Sequence, residues 1–382
     1  MTIIHITPSY KPAFIYGGTI SSIAQLCEAQ QRSGQTIEVL TTTANGKEEL
    51  WVETSRPTQV DGVKVTYFRR ITKDHTHLSP ALLGYLHQLV AKRPSDTIIH
   101  IHSWWNLTSL LSCLIAKLKN IPVILSPRGM LTPYSFSNRH GILKSFIHFS
   151  IGKTLLPYCS IHATSEKERQ DILTINKQLN ITVIPNLMTP LPPNFELVTE
   201  DTAQSPVFKL LFFSRIEEKK GLELLFDALS ACNFPWTLTI AGTGKPRYEE
   251  RLKKMAEMLG IFSKIKWVGR IGDTHKYNVL QENDLLVLFS YNENFANAVG
   301  ESLTVGTPVA ISSHVGLAPF VSKHNLGWVA DLNPDQISTI IKQAYHEQEK
   351  RTRIRNNAPA IISQHFREGL IPQYSSMYHF SS

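Results

Sequence analysis

Short runs of Ile, Val and Leu alternate along the chain with segments whose apolar residues recur at helical spacing. Thr2 to Thr7 reads as a strand, Gly18 to Ser33 as a helix, and Thr36 to Thr41 as a strand again. The same rhythm returns through Thr97 to His102, Leu107 to Lys119, Val123 to Ser126 and Ile161 to Thr164, with Asp61 to Arg69 as a further strand or small hairpin. Apolar strands separated by helices predict an α/β chain with mostly parallel sheets covered on both faces.

The rhythm breaks between Pro185 and Pro206, a stretch that also holds Pro190, Pro192 and Pro193 and reads as an interdomain linker. A second series follows. Strands are predicted at Phe208 to Phe213, Trp236 to Ala241, Lys264 to Gly269, Leu285 to Ser290 and Val309 to Ser312. Helices fall between and after them, at Gly221 to Ala231, Arg247 to Leu259, Lys276 to Gln281, Ala296 to Val305 and Pro334 to Glu349. A chain of 382 residues exceeds what one core organises. Two doubly wound domains are therefore expected, over 1–189 and 190–365.

Composition narrows the class. With 42% hydrophobic and 18% charged residues, the chain is that of an ordinary globular protein. Its apolar runs stop well short of the roughly 18 residues that cross a bilayer, and the opening Met1 to Pro8 has no signal-peptide pattern, so a cytoplasmic protein is expected. Cys27, Cys113, Cys159 and Cys232 form no C-x-x-C pair and read as buried, reduced thiols. The net charge of +8 is uneven: residues 1–190 hold 19 Lys and Arg against 11 Asp and Glu, residues 191–382 hold 20 against 20. A basic first half suits an anionic membrane surface or a lipid-diphosphate acceptor. Nucleic acid is not expected, because RNP-like, zinc-finger and polybasic-helix patterns are absent from the sequence.

Ligands of doubly wound sheets bind beyond the carboxyl ends of strands, and the candidate residues gather there. Arg215 follows the Phe208 strand, and Lys220 with Gly221 opens the next helix. Two fixed cations beside a helix N-terminus can stabilise a departing diphosphate without a metal, although alone they would equally suit a solvated surface. Gly242 and Gly244 turn the chain after Ala241, a weak signal by itself. Arg270, after the Lys264 strand, lies where backbone groups can read a base edge. The segment Ser290 to Glu301 presents Glu293 on a loop, helix-start amides at Phe295, Ala296 and Asn297, and Glu301 beyond them. Two carboxylates so spaced suit paired hydroxyls of a ribose or hexose. In the first half, Gly17 and Gly18 lie where the first helix starts. His100 and His102 share one face of a strand, which suggests a metal pair, but no third ligand follows at suitable spacing. His102 ends its strand and is the better placed to touch substrate. Arg128, within Ser126 to Met130, is a candidate for an acceptor or phosphate.

These segments resemble the retaining glycosyltransferase family 4, which has the GT-B architecture of two Rossmann-like domains facing across a cleft. The resemblance runs in family order through Gly17-Gly18, the strand ending at His102, Ser126 to Met130, Ala163 to Glu166, Ile184 to Asn186, Arg215 with Lys220-Gly221, Gly242 to Gly244, and Glu293 with Glu301. It implies an N-terminal acceptor domain, a C-terminal donor domain, and a final helix over 366–382 that packs back on the first domain. It further implies that Arg215 and Lys220 hold the donor diphosphate and that Glu301 binds ribose hydroxyls. Glu293 would contact the donor sugar beside the amides of Phe295, Ala296 and Asn297. His102 would meet the transferred sugar or acceptor hydroxyl, and Gly17-Gly18 would lie under the diphosphate and acceptor. Ala296 departs from the glycine common in relatives and Ser302 from the alanine.

The function so implied is retaining transfer of a sugar from a nucleotide-diphosphate sugar, UDP- or GDP-linked, to a glycan or lipid-linked acceptor in surface polysaccharide or glycolipid synthesis. Neither a cofactor nor a metal is expected. The chain would be cytoplasmic and peripheral at the inner membrane face. The rival readings are a nucleotide-sugar epimerase, an inverting GT-B transferase, or a non-catalytic nucleotide-sugar-binding module of an assembly complex. An NAD-dependent oxidoreductase lacks its three-glycine fingerprint here.

Overall fold

A computed structural model describes every residue of the chain except 93–95, 134, 136–151, 199–205, 273–274 and 380–382. The chain divides into two units, one of residues 1–187 with 368–382, the other of residues 188–367.

The first unit holds β1 (Thr2–Thr7), β2 (Thr36–Thr42), β3 (Ala44–Asn45), β4 (Glu48–Glu49), β5 (Pro57–Val60), β6 (Val63–Phe68), β7 (Thr97–His102), β8 (Val123–Ser126), β9 (Cys159–Ala163) and β10 (Ile181–Val183). Its main sheet has the order β10-β9-β8-β7-β1-β2-β6-β5. Only β5 runs antiparallel in it. The Asp61 to Arg69 segment is thus the returning strand of a hairpin, with Asp61 and Gly62 both at positive φ between the paired Val60 and Val63. That is the backbone a two-residue Asp-Gly turn adopts. Side chains alternate between the faces as the pleat requires. Ile3, Val39, Ile98 and Ile124 enter one cluster. Their neighbours Ile4, Leu40, Ile99 and Leu125 enter another.

The first cluster is closed by two helices. One is Gly18–Arg32; the other is Ile371–His379, which buries Ile371, Tyr374, Met377 and Tyr378. The expected helix over 366–382 therefore begins later, at Ile371, and its residues 380–382 lie outside those described. Phe366 closes the preceding helix, Gln348–Phe366, and belongs to the other unit. The long helix expected to run through Glu349 also ends early, at His346. There the Arg351 guanidinium turns back to donate to the carbonyls of Ala344 and Tyr345, satisfying the helix end that a continuous helix would not have.

The second unit is one parallel sheet of β11 (Phe208–Phe213), β12 (Trp236–Ala241), β13 (Ile265–Gly269), β14 (Leu285–Leu288), β15 (Val309–Ser312) and β16 (Gly327–Ala330). Its order is β13-β12-β11-β14-β15-β16, the doubly wound order whose direction of winding reverses between β11 and β14. In the first unit the corresponding reversal lies between β1 and β7. All four cysteines are buried and free. Cys113 and Cys159 stand with sulfurs 3.4 Å apart. Among the described residues no helix is long and apolar enough to cross a membrane.

Gly306 shows how closely the second unit is packed. Its φ is +82°, and a β-carbon placed there would lie 2.4 Å from the Arg355 carbonyl oxygen. Both effects oppose any side chain. Gly306→Ala is expected to lower the unfolding free energy by about 2 to 4 kcal/mol, from the left-handed backbone and the overpacking together. Urea unfolding of the two proteins measures it, and a change below about 0.5 kcal/mol, the scale of an ordinary surface substitution, would be inconsistent with the packing described.

Candidate active site

In the second unit the residues expected to do chemistry stand at the reversal point. Lys220 leaves the β11 connection and Glu293 the β14 connection, and their side chains form an ion pair, both largely buried. Burial pulls the Lys220 ammonium below its ordinary value, and Glu293 only partly restores it. Burial would raise the Glu293 carboxyl, but Lys220, Lys219 and Arg215 outweigh it and hold the group ionised, below the usual carboxylate range. Arg215 therefore acts on the same place, although its own guanidinium is exposed and paired with Glu217 at 2.8 Å. Glu301 pairs with Lys276 at 2.8 Å, with both side chains nearly buried. Lys276 was not singled out by the sequence, which showed it only as the opening residue of a short helix.

The glycine turn after β12 has a packing reason of its own. Gly242 would drive a β-carbon to within 1.8 Å of the Ser214 carbonyl oxygen, and Gly244 to within 2.2 Å of that of Ile216. Ser214 and Ile216 donate their amides to Ala241 and Thr243, so the two strand ends lock together. Arg270 is exposed just past β13. Phe295 is buried against Phe366, and Ala296 caps the helix Asn297–Thr304 with φ +68° and ψ +73°. That left-handed conformation costs an L-residue about 1 kcal/mol and favours glycine. The glycine that the family resemblance leads one to expect at this position would have a backbone cause, and here alanine bears the strain.

In the first unit, Gly17 sits at φ +70° as the cap of the Gly18–Arg32 helix, beside the β1/β7 reversal. His102 is fully buried, with Nε2 2.9 Å from His5 Nδ1 and Nδ1 3.4 Å from Arg128 Nε. Both ring nitrogens therefore face protein groups. Arg128 also turns inward, donating to Ser22 Oγ at 2.9 Å and to Asn186 Oδ1 at 3.1 Å. Its φ of +50° begins a turn that Glu168 holds, accepting from the Gly129 amide and from the amide and hydroxyl of Thr164. The third histidine that spacing along the chain did not supply comes from the neighbouring strand: His5 lies opposite His100 in the β1–β7 register. His5, His100 and His102 bring one nitrogen each to within 4.8 Å of one another. His162 on β9 joins them through Ser126. Their common signal, an Ile-His step repeated at Ile4, Ile99, Ile101 and Ile161, was present in the sequence and unread.

Burial holds all four imidazoles neutral. His5 and His162 are pushed down to about 3, and His100 and His102 well below their usual value. Arg128 adds to the effect at each. The unfolded chain binds protons at these groups below its ordinary 6.5 while the folded unit does not. Their contribution to stability is thus complete above about pH 6.5 and is lost as pH falls toward 3, at up to about 1.4 kcal/mol per pH unit for each ring. Denaturant unfolding between pH 7.5 and 5 should show this steep loss, with about four protons taken up on unfolding. A stability flat over that range would refute the neutral cluster.

Comparison with known proteins bears on the fold and the family of the chain. Residues 199–360 match the family model described as glycosyl transferases group 1, and residues 17–187 match that of the glycosyl transferase 4-like domain. An uncharacterized glycosyltransferase of Methanocaldococcus jannaschii is 25% identical over 94% of this chain and 92% of its own. The lipopolysaccharide core biosynthesis glycosyltransferase LpsE of Rhizobium meliloti is 26% identical over 45% of this chain and 49% of its own. Among solved structures, HepE of Anabaena, determined with UDP and glucose, superposes with a TM-score of 0.73 at 19% identity over the whole of both chains. The sucrose-phosphate synthase of Thermosynechococcus elongatus does so at 0.78 and 18%, over 99% of this chain and 98% of its own. Two parallel-sheet units of this order, with the family models laid one on each, place the chain among the group 1 glycosyltransferases of GT-B fold.

Proposed function

We propose that the chain transfers a sugar from a nucleotide-diphosphate sugar, with retention of anomeric configuration, to a glycan or lipid-linked glycan of surface polysaccharide or glycolipid assembly. The observation that carries the reading is the Lys220–Glu293 pair with Arg215 acting on it at the β11/β14 reversal. Negative charge grows on the diphosphate as its bond to the anomeric carbon breaks. The buried Lys220 cation can stabilise that charge with little reorganisation, and Arg215 adds to it from its more exposed position. The side-chain oxygens of Glu293 and Glu301 supply acceptors for sugar and ribose hydroxyls. In this reading the acceptor oxygen bonds to the anomeric carbon on the face that the diphosphate leaves, and the acceptor proton passes to a departing phosphate oxygen. No protein nucleophile takes part.

The nature of the donor is supported by structural neighbours described in complex with UDP-glucose and with UDP-2-fluoro glucose. The acceptor class is supported by relatives named for lipopolysaccharide core and amylovoran biosynthesis. Arg215, Lys219 and Lys220 supply the charge that a divalent ion would otherwise bring, so the transfer is read as metal-independent.

A panel of UDP-, GDP-, ADP- and TDP-sugars, followed by mass spectrometry and NMR of the product, tests the reaction. Glu293→Gln keeps shape and a hydrogen-bonding partner for Lys220 but removes the carboxylate. It is expected to lower kcat about 100- to 1000-fold, the cost of losing one preorganised electrostatic group. EDTA should leave the rate unchanged. An α-linked donor giving a β-linked product, an epimerised free donor, or full turnover by Glu293→Gln would each defeat the proposal.

The basic surplus of residues 1–190 fits peripheral attachment to an anionic membrane face, where a lipid-linked acceptor would lie. Flotation with phosphatidylglycerol vesicles should recover the protein at low salt and lose it at high salt. Recovery that ignores salt, or none at all, removes this part of the reading.

A further inference from the structure

Two anchors of fixed polarity bracket the buried histidines of the first unit. At one end Arg128 Nε–H can only donate, so His102 Nδ1 accepts and His102 Nε2 carries the hydrogen. That hydrogen is donated to His5 Nδ1, which leaves the His5 hydrogen on Nε2. At the other end the Ile184 carbonyl, 2.8 Å from His162 Nε2, can only accept. His162 Nδ1 therefore accepts from Ser126 Oγ at 2.6 Å, and Ser126 in turn accepts from His100 Nε2 at 2.7 Å. His100 Nδ1 then accepts from the Tyr378 hydroxyl at 2.8 Å. The Tyr378 oxygen accepts from Gln30 Nε2 at 3.0 Å.

The two half-chains meet at one gap. His5 Nε2 and Gln30 Oε1 are both buried; the Gln30 side chain acts on the His5 ring, yet the two atoms stand just outside strict hydrogen-bonding geometry. The polarity deduced from the two ends makes the first a donor and the second an acceptor, so the gap is complementary. Either anchor with the opposite sense would have set two donors or two acceptors against each other. Every imidazole lone pair on the path is also already engaged. His5, His100 and His102, for all their proximity, have none to give a metal ion.

We propose that Tyr378, Gln30 and His5 are positioning residues: they set end to end two hydrogen-bonded runs of one sense, the first donated from Arg128 through His102 to His5, the second from Gln30 through Tyr378, His100, Ser126 and His162 to the Ile184 carbonyl, and so hold His102 and Arg128 in place. Both segments by which the chain leaves and re-enters this unit are tied to it. Ile184 and Asn186 precede the departure at Met188, and Tyr378 lies on the helix after the return at Glu368. The bearing of the chain on turnover rests on the transferase reading above; its existence does not.

Long-range ¹H–¹⁵N correlation on the full chain labelled with ¹⁵N-histidine reads the tautomers directly. Four neutral imidazoles with the hydrogen on Nε2 are expected at pH 7. In Tyr378→Phe the His100 ring should keep its hydrogen on Nε2, held by Ser126, His162 and Ile184, while its Nδ1 resonance shifts on losing its donor, and kcat should fall about fivefold to tenfold, the loss of one or two buried hydrogen bonds. The KM for the nucleotide sugar should stay within about twofold, because ground-state binding is untouched. Tyr374→Phe is the control on the same helix, removing only the hydroxyl that donates to Pro185. It should leave kcat and the tautomers unchanged. Any of the four rings protonated on Nδ1, stoichiometric binding of Co²⁺ by the trio, or equal effects of the two tyrosine variants would overturn the proposal. Four Nε2–H rings in a protein without transferase activity would instead leave the network standing and refute the transferase reading.

Discussion

A parallel strand surrenders its chain at its carboxyl end, and the next helix must begin there. In a sheet wound both ways from its middle, two such ends at the reversal have their helices on opposite faces and leave a crevice. This constraint, met once in each unit, organises the rest of the molecule. In the second unit it brings Lys220 from β11 and Glu293 from β14 into contact across 73 residues of chain. In the first it sets His5 of β1 against His100 of β7, with His102 at the carboxyl end of β7 and Gly17 on the connection that follows β1.

Each unit then buries polar groups at its reversal point, and the two do so by opposite electrostatics. Lys220 and Glu293 are both ionised, and each offsets the desolvation of the other. Such a pair is not chosen for stability, since apolar residues would pack as well. It makes sense where a further charged group is to be received, because its cation is already stripped of water and held in place. The histidines take the other course. Burial and the Arg128 cation keep them neutral, and a neutral imidazole, with one donor and one acceptor, can be satisfied only by neighbours of matching polarity. Fixed direction is therefore the condition on which these rings are buried at all.

Much of this was legible in the chain. The strands Thr2–Thr7, Thr97–His102, Val123–Ser126, Phe208–Phe213, Trp236–Ala241 and Val309–Ser312 stand where the apolar runs put them, because a strand buried on both faces reads as an unbroken run. The helix break at Glu347 was not legible. No glycine or proline marks it, and its cause is a side chain four residues on, Arg351, whose guanidinium replaces the missing helical donors. Pairing was harder still. Lys276 meets Glu301, and His5 meets His102, through strand order and register, which one sequence does not state. The repeated Ile-His step was visible, but only the parallel pairing of β1 with β7, and of β7 through β8 with β9, makes it a cluster and not four separate core histidines.

The turn that carries Arg128 shows why the same residue can be read in two ways. Its position after β8, among Ser126, Pro127 and Gly129, is that of a ligand-binding loop, and a positive φ at a residue other than glycine marks strain that surrounding structure must hold. Glu168 does the holding, with three hydrogen bonds and no exposure. Yet the strained backbone aims the guanidinium inward, at Ser22, His102 and Asn186, all of them neutral acceptors. A carboxylate in any of those places would have neutralised the arginine and closed the site. Neutral acceptors orient the cation, and only Glu168, acting on it through space, offsets its charge, beside the first turn of the Gly18–Arg32 helix, where an anion is also favoured by the helix amides.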